Sequence, residues 1–104
     1  MAVFEATDES FDELVKEGVS IVDFYSTHCG PCRVLLPVLL SVENQLPFIN
    51  LIKINTDNCP KLAGRFRISA VPTVYFSKEG EMTEYHGCQD EDSIKEKLSK
   101  ILYE

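Results

Sequence analysis

Two cysteines separated by two residues are the clearest sign of chemistry in this sequence: Cys29-Gly30-Pro31-Cys32. A β-branched and aromatic run at 19–25 precedes them and a long apolar segment follows, so we expect the motif where a strand ends and a helix begins. Sulfurs three positions apart in a first helical turn lie close enough to bridge. Gly30 keeps the loop tight and Pro31 fixes its backbone. The spacing therefore predicts a redox-active dithiol that can close to a disulfide.

The two thiols are expected to have different roles. Unpaired backbone N–H groups and the positive end of the helix dipole stabilise a thiolate at Cys29, which is therefore the predicted attacking thiol. Cys32 lies one turn inside the helix, where we expect it to be shielded. It is the predicted resolving thiol, which breaks a mixed disulfide.

A single C-x-x-C pair could also be half of a zinc site. The other two cysteines, Cys59 and Cys88, form no second C-x-x-C pair, so a four-cysteine site would need an irregular arrangement of the chain. Redox chemistry is favoured, and no metal is expected.

Asp23 is an anomaly in the apolar run at 19–25. A charged carboxylate is costly in such a strand, so burial is expected to raise the pKa of Asp23 until it exchanges a proton near neutrality. These are the properties of a general base.

The sequence around the motif predicts nine alternating elements. Strands are expected at 3–5, 19–25, 48–55, 73–76 and 82–85. Helices are expected at 11–17, over the apolar segment 33–46 with Pro31 in its first turn, at 58–65 and from Asp90 onward. Ser10 and Glu13 are expected to form a capping box for the first helix. The order β-α-β-α-β-α-β-β-α predicts an α/β fold of parallel strands that ends in an antiparallel hairpin.

Length and charge exclude several classes of protein. A chain of 104 residues has the size of one domain, 1–104, and 44% hydrophobic residues suffice for a core. A net charge of −7 disfavours nucleic acid and anionic membranes as partners. No export signal is evident at the amino terminus, and the longest apolar stretch, 34–42, is too short to span a bilayer. We therefore expect a soluble protein.

Three segments together identify a resemblance. In their order and spacing they resemble the thioredoxin family: Val22-Asp23-Phe24-Tyr25, Cys29-Gly30-Pro31-Cys32 and Val71-Pro72-Thr73. The resemblance implies a thioredoxin fold, with a mixed sheet of four to five strands flanked by four helices. It also implies a cytoplasmic, monomeric protein disulfide reductase that serves electron transport and cell redox homeostasis. Such a protein has no bound cofactor, receives electrons from NADPH through a thioredoxin reductase, and acts on disulfide-containing client proteins.

The resemblance also assigns roles to single residues. Asp23 would accept the proton of Cys32, with Lys53 as its electrostatic neighbour; a purely structural ion pair between Asp23 and Lys53 is the alternative. Pro72 would follow a cis peptide bond, and the backbone of Val71 would pair with an extended substrate segment. A plain turn proline is the alternative for Pro72.

The sequence departs from the family pattern at its aromatic positions. Tyr25 and His28 stand where the family usually has tryptophan, and the chain has no tryptophan at all. His28 would either stabilise the Cys29 thiolate or be an exposed loop residue without influence. It is placed in the predicted substrate surface.

The loop after the hairpin adds Gly87 and Cys88 to the predicted substrate surface. Cys88 is interpreted either as an exposed thiol near Cys29, open to regulatory oxidation, or as a buried inert residue. Cys59 is expected to be tolerated at a helix start.

Two other functions are compatible with the sequence. A thioredoxin-fold oxidase or isomerase uses the same motif at a different redox poise, although the Gly30-Pro31 pair favours reduction. A binding module without turnover would need neither the dithiol nor Asp23.

Overall fold

A computed structural model of the chain describes residues 2–103. Its nine elements follow the predicted order: β1 (Val3–Glu5), α1 (Phe11–Val15), β2 (Val19–Tyr25), α2 (Gly30–Gln45), β3 (Ile49–Asn55), α3 (Pro60–Arg65), β4 (Thr73–Lys78), β5 (Glu81–Glu84) and α4 (Glu91–Tyr103). None of the helices in this part of the chain is both long and apolar enough to cross a bilayer.

The five strands form one mixed sheet in the order β1-β3-β2-β4-β5. The pairs β1–β3 and β3–β2 are parallel, whereas β2–β4 and β4–β5 are antiparallel. The predicted α/β fold with a terminal hairpin is therefore confirmed. The central position of β2 explains its mostly apolar sequence, because a strand that is covered on both faces buries side chains on both of them.

Two hydrophobic clusters cover the two faces of the sheet. Ile21 points to the cluster that contains Leu39 of α2 and Leu98 of α4. The next residue, Val22, points to the opposite cluster, where α1 and α3 pack. Alternation along β2 therefore places Asp23 on the face that α2 covers.

Local backbone geometry shifts several predicted boundaries. α2 runs from Gly30 to Gln45, with Pro31 in its first turn as predicted and Cys29 as its N-cap, and it ends one residue before the predicted end. β3 begins after Phe48, whose φ of 70° lies outside the strand region. β4 extends to Lys78, beyond its predicted end, and β5 begins and ends one residue earlier than predicted. Glu79 and Gly80 make the tight turn between these strands, with φ of 52° and 85°.

The predicted capping box of α1 is wrong. The Ser10 side chain makes no capping bond to the helix; its Oγ accepts a hydrogen bond from the Thr7 backbone N at 2.9 Å. The Thr7 hydroxyl oxygen in turn accepts one from the Ser10 backbone N at 3.0 Å. The hydroxyl that would cap the helix is thus engaged in the preceding turn, and α1 ends at Val15, two residues before the predicted end.

The starts of α3 and α4 are capped in different ways. α3 begins at Pro60, close to the predicted start, but its cap comes from Asp8, whose carboxylate accepts a hydrogen bond from Leu62 N at 3.0 Å. The cap predicted for α4 is confirmed, since Asp90 Oδ1 accepts a hydrogen bond from Ser93 N at 2.8 Å.

Candidate active site

The two cysteines of the motif form a disulfide at the start of α2. Cys29 and Cys32 are bonded through their sulfurs, with 5.3 Å between their Cα atoms. Cys29 is the N-cap of the helix, and its Sγ accepts a hydrogen bond from the backbone N of Cys32 at 3.2 Å. The dithiol therefore lies at the helix terminus that the sequence predicts, where unpaired N–H groups and the dipole stabilise negative charge.

Burial does not separate the two cysteines. Cys29 is 7% exposed and Cys32 is 5% exposed. The exposed fractions of the two residues therefore do not show the greater shielding expected for Cys32. Their positions relative to the helix do differ. Cys29 precedes the first turn and faces its free N–H groups, whereas Cys32 lies within that turn.

Asp23 lies in the middle of β2 and is 2% exposed. Its Oδ1 has no hydrogen-bond partner within residues 2–103. Burial raises the pKa of Asp23 from 3.8 to about 6, although the positive charge of Lys53 acts in the opposite direction. The expected rise is confirmed, and this carboxyl can exchange a proton close to neutral pH.

A cavity of about 130 Å³ joins Asp23 to the dithiol. It is lined by eight residues from β2, the following loop, α2 and β3: Asp23, Tyr25, Ser26, Thr27, Cys32, Arg33, Leu36 and Lys53. The cavity is large enough for a water molecule, which could carry a proton between the Asp23 carboxyl and the Cys32 thiol.

Lys53 is the register neighbour of Asp23 on β3, as expected, but its ion pair is with another residue. Among the described residues, its ammonium pairs with Glu5 of β1 at 3.7 Å. It also lies over the Tyr25 ring, 4.8 Å from the centroid. The simple ion pair between Asp23 and Lys53 is therefore not the arrangement found.

Sequence reasoning missed Glu5 as part of this site and missed the role of Tyr25. The Tyr25 hydroxyl donates a hydrogen bond to Glu5 Oε1 at 2.7 Å. Burial, together with Glu5, raises the pKa of this phenol. No local pattern could have identified Glu5, because its place depends on how β1 pairs with β3.

The predicted substrate residues lie at the same end of the sheet as the dithiol. The Val71-Pro72 peptide bond is cis, as predicted, and comes directly before β4. Thr73, the first residue of β4, pairs with Phe24, near the end of β2 that leads to the dithiol. β5 also ends on this side, since Glu84 pairs with Tyr75 of β4, and the loop with Gly87 and Cys88 follows it.

Gly87 has a packing role in this loop. A Cβ at this position would lie 2.8 Å from the Tyr85 hydroxyl, too close for any other residue without movement. The same hydroxyl donates a hydrogen bond to the Cys88 carbonyl at 2.5 Å. The absence of a side chain at Gly87 therefore leaves room for the Tyr85 ring, whose hydroxyl binds the backbone of the loop.

His28 is exposed beside the disulfide. Hydrogen bonds from Thr27 are the main cause that lowers the pKa of Asp57, and the positive charge of His28 adds to them.

Within residues 2–103, no group of three or more His, Cys, Asp or Glu side chains is placed to hold a metal ion.

The two remaining cysteines differ sharply in exposure. Cys59 is 2% exposed, and burial is the main cause that raises the pKa of its thiol. Cys88 is exposed and free, so its interpretation as a buried residue is wrong.

Known proteins resemble this chain over most of its length. Residues 2–100 match the sequence model of the Thioredoxin family. Thioredoxins of Staphylococcus saprophyticus and Bacillus subtilis are 34% and 33% identical to it, and each match covers 98% of this chain and 100% of the relative.

Solved structures agree with these sequence matches. A mutant thioredoxin from Halobacterium salinarum NRC-1 superimposes with a TM-score of 0.83 at 30% identity, over 95% of this chain and 88% of that chain. The zinc-bound form of human ERp44 gives a TM-score of 0.82 at 21% identity, over 93% of this chain and 31% of that chain, and shows the shared fold only.

The family match and the disulfide geometry point to the same chemistry. A C-x-x-C pair at a helix start accepts two electrons when it is a disulfide, and the reduced dithiol can pass them to another disulfide. The chain belongs to the thioredoxin family and is a protein thiol-disulfide oxidoreductase.

Proposed function

We propose that the chain is a protein disulfide reductase in which Cys29 attacks and Cys32 resolves. The observation that carries this proposal is the position of Cys29 as the N-cap of α2, where its Sγ faces the helical N–H groups. After reduction of the disulfide, these groups stabilise a thiolate at Cys29 better than at Cys32.

The proposed reaction transfers two electrons in two thiol exchanges. The Cys29 thiolate attacks one sulfur of the client disulfide, forms a mixed disulfide and releases the other client sulfur as a thiolate. The Cys32 thiol then gives its proton to the Asp23 carboxylate and attacks the Cys29 sulfur. The mixed disulfide breaks, the second client thiolate leaves, and the chain holds the Cys29–Cys32 disulfide.

Asp23 is suited to the second exchange by its burial and its place at the cavity. A proton acceptor is most effective when its pKa lies near the working pH, and the pKa of Asp23 is about 6. Lys53 lines the same cavity and limits the rise of that pKa.

The proposed client surface surrounds the disulfide at one end of the sheet. It comprises the predicted residues of three loops and the first turn of α2: His28, Gly30, Pro31, Val71, Pro72, Gly87 and Cys88. Backbone groups of Val71 would pair with an extended client segment, a mode that accepts many sequences because it uses main-chain hydrogen bonds.

The wider setting of the reaction is part of the proposal. We infer that residues 1–104 act as one monomeric domain in the cytoplasm, where they contribute to cell redox homeostasis. NADPH would supply electrons through a thioredoxin reductase, and disulfide-containing proteins would be the clients. The dithiol is itself the electron carrier, so this chemistry requires no bound cofactor.

Trapping the mixed disulfide tests the order of attack. Cys32→Ser and Cys29→Ser are compared in a Cys59→Ser, Cys88→Ser background, each with a client protein that contains a disulfide. We expect Cys32→Ser to accumulate a covalent adduct that dithiothreitol releases, and Cys29→Ser to accumulate none. Accumulation of the adduct through Cys32 in the Cys29→Ser variant would overturn the proposed order.

A further inference from the structure

Three charged residues lie side by side across three neighbouring strands. Glu5 of β1 is the register partner of Lys53 on β3, and Lys53 is the register partner of Asp23 on β2. Residues paired in this way project to the same face of a sheet. The Lys53 ammonium therefore lies between two carboxyl groups and can form an ion pair with either one.

The structure shows which carboxyl group Lys53 contacts. The ammonium lies 3.7 Å from the Glu5 carboxylate, and the Glu5 and Lys53 side chains are 52% and 22% exposed. Asp23, on the other side, is 2% exposed and keeps an unpaired Oδ1. The partly solvated carboxylate thus holds the cation, and the buried carboxyl does not.

Tyr25 contacts both members of the Glu5–Lys53 ion pair and stabilises it. Its hydroxyl reaches over from β2 and donates a hydrogen bond to Glu5 at 2.7 Å. Its ring lies under the Lys53 ammonium, 4.8 Å from centroid to nitrogen. Glu5, Lys53 and Tyr25 form a closed set of three contacts beside the cavity, which we call the Glu5 clamp.

We propose that Glu5 is a positioning residue for the dithiol chemistry: it holds the Lys53 ammonium in the Glu5 clamp and so keeps that charge from Asp23. The inference rests on the proposed role of Asp23 as the proton acceptor of Cys32.

Electrostatics gives the direction of the effect. The Lys53 charge lowers the pKa of Asp23 and the Glu5 charge raises it, while burial remains the largest cause of its rise. Without the Glu5 charge, Lys53 would act on Asp23 alone and make it a weaker base. The clamp therefore keeps the affinity of Asp23 for a proton high.

The charged and titratable groups around Asp23 are few. β4 contributes Val74 as the register partner of Asp23 and no charge at that position. The groups that face the cavity or act on Asp23 come from β1, β2, β3 and α2: Glu5, Tyr25, Lys53, Cys32 and Arg33. Among these, Glu5 carries the only negative charge near neutral pH.

A carbon-13 titration of the Asp23 carboxyl in the oxidised protein tests the clamp. We expect Glu5→Gln to lower the midpoint of this titration, because the amide still accepts the Tyr25 hydrogen bond but no longer pairs with Lys53. Glu17→Gln removes one exposed negative charge at another place and should leave the midpoint unchanged. An unchanged midpoint in Glu5→Gln would overturn the proposal.

A double-variant cycle separates positioning from the charge of Glu5 itself. If Glu5 acts through Lys53, the effect of Glu5→Gln should fall to less than about half in a Lys53→Met background. An effect of equal size in both backgrounds would overturn the positioning role.

The pH profile of client turnover supplies a second readout. At pH values below the Asp23 midpoint, Glu5→Gln should turn over the client about twofold faster than the native chain, because more of its Asp23 is ionised. At pH values above the midpoint, the variant should be slower, because its Asp23 is a weaker base. Profiles that do not cross would contradict the inference. Asp23→Asn in the same assay tests the proton acceptor itself, so a failure of the proposed function is distinguishable from a failure of the clamp.

Discussion

Asp23 and Cys32 line the same cavity, although one belongs to the central strand and the other to the first turn of α2. The carboxyl is buried and lacks a hydrogen-bond partner for one oxygen among the described residues. A group in such surroundings is costly to the fold. The proposed proton transfer from the Cys32 thiol would give a functional reason to retain it.

Asp23→Asn should stabilise the protein near neutral pH. The pKa of Asp23 is about 6 in the folded chain against an ordinary 3.8, so between these values the folded state binds more protons than the unfolded state. The free energy of unfolding therefore falls as pH rises through this window, by about 3 kcal/mol in total. Chemical denaturation should show Asp23→Asn more stable than the native chain by about 1–3 kcal/mol at about pH 7.

At about pH 4 most of that difference should disappear, since Asp23 is then protonated in the folded state. Glu17→Gln, an exposed change of the same charge, serves as the control and should show no such pH dependence. An advantage of Asp23→Asn that is equal at both pH values would contradict the buried-carboxyl explanation.

Asp23→Asn should also slow the exchange by which Cys32 breaks the mixed disulfide. Loss of a positioned proton acceptor typically lowers a rate by about 100-fold or more. Rapid-quench analysis of a single turnover should show the mixed disulfide persisting in the variant, while its rate of formation by Cys29 changes little. Equal lifetimes of the intermediate in both proteins would remove Asp23 from the mechanism.

Cys88 and Cys59 should differ in reactivity toward an alkylating reagent. Cys88 is exposed, whereas Cys59 is buried with its thiol directed toward the Ala6 carbonyl at 3.5 Å. In the oxidised protein, iodoacetamide should modify Cys88 alone under native conditions and both residues after unfolding. Peptide mass analysis checks this, and rapid native labelling of Cys59 would be the contrary result.

Ser20→Ala should leave stability unchanged or raise it by about 0.5–1 kcal/mol. The Ser20 hydroxyl is fully buried on β2 without a hydrogen-bond partner in the described chain. Ser93→Ala is the matched control, because the Ser93 hydroxyl donates to Asp90 at 2.9 Å and its loss should destabilise. A large destabilisation by Ser20→Ala in thermal unfolding would show that this hydroxyl has a partner.

Features encoded by neighbouring residues were predictable from the sequence. The start of α2 is one example, since Pro31 and the cysteine spacing lie within a few positions of each other. The apolar run of β2 likewise indicates a strand buried on both faces, in which Asp23 stands out.

Features that depend on strand pairing or distant contacts were not predictable. The cap of α3 comes from Asp8, more than fifty positions before Leu62 along the chain. The Glu5 clamp likewise depends on the register of β1 against β3, because Glu5 and Lys53 are neighbours only after the sheet forms. No single segment of sequence contains either relationship.

Turnover of a protein disulfide with dithiothreitol as electron source is the decisive measurement for the dithiol. The native chain is compared with Cys29→Ser and with a Cys59→Ser, Cys88→Ser double variant. The native chain and the double variant should be equally fast, and Cys29→Ser should be no faster than dithiothreitol alone. Native turnover that does not exceed the rate of dithiothreitol alone would contradict the assignment of this chain as a disulfide reductase.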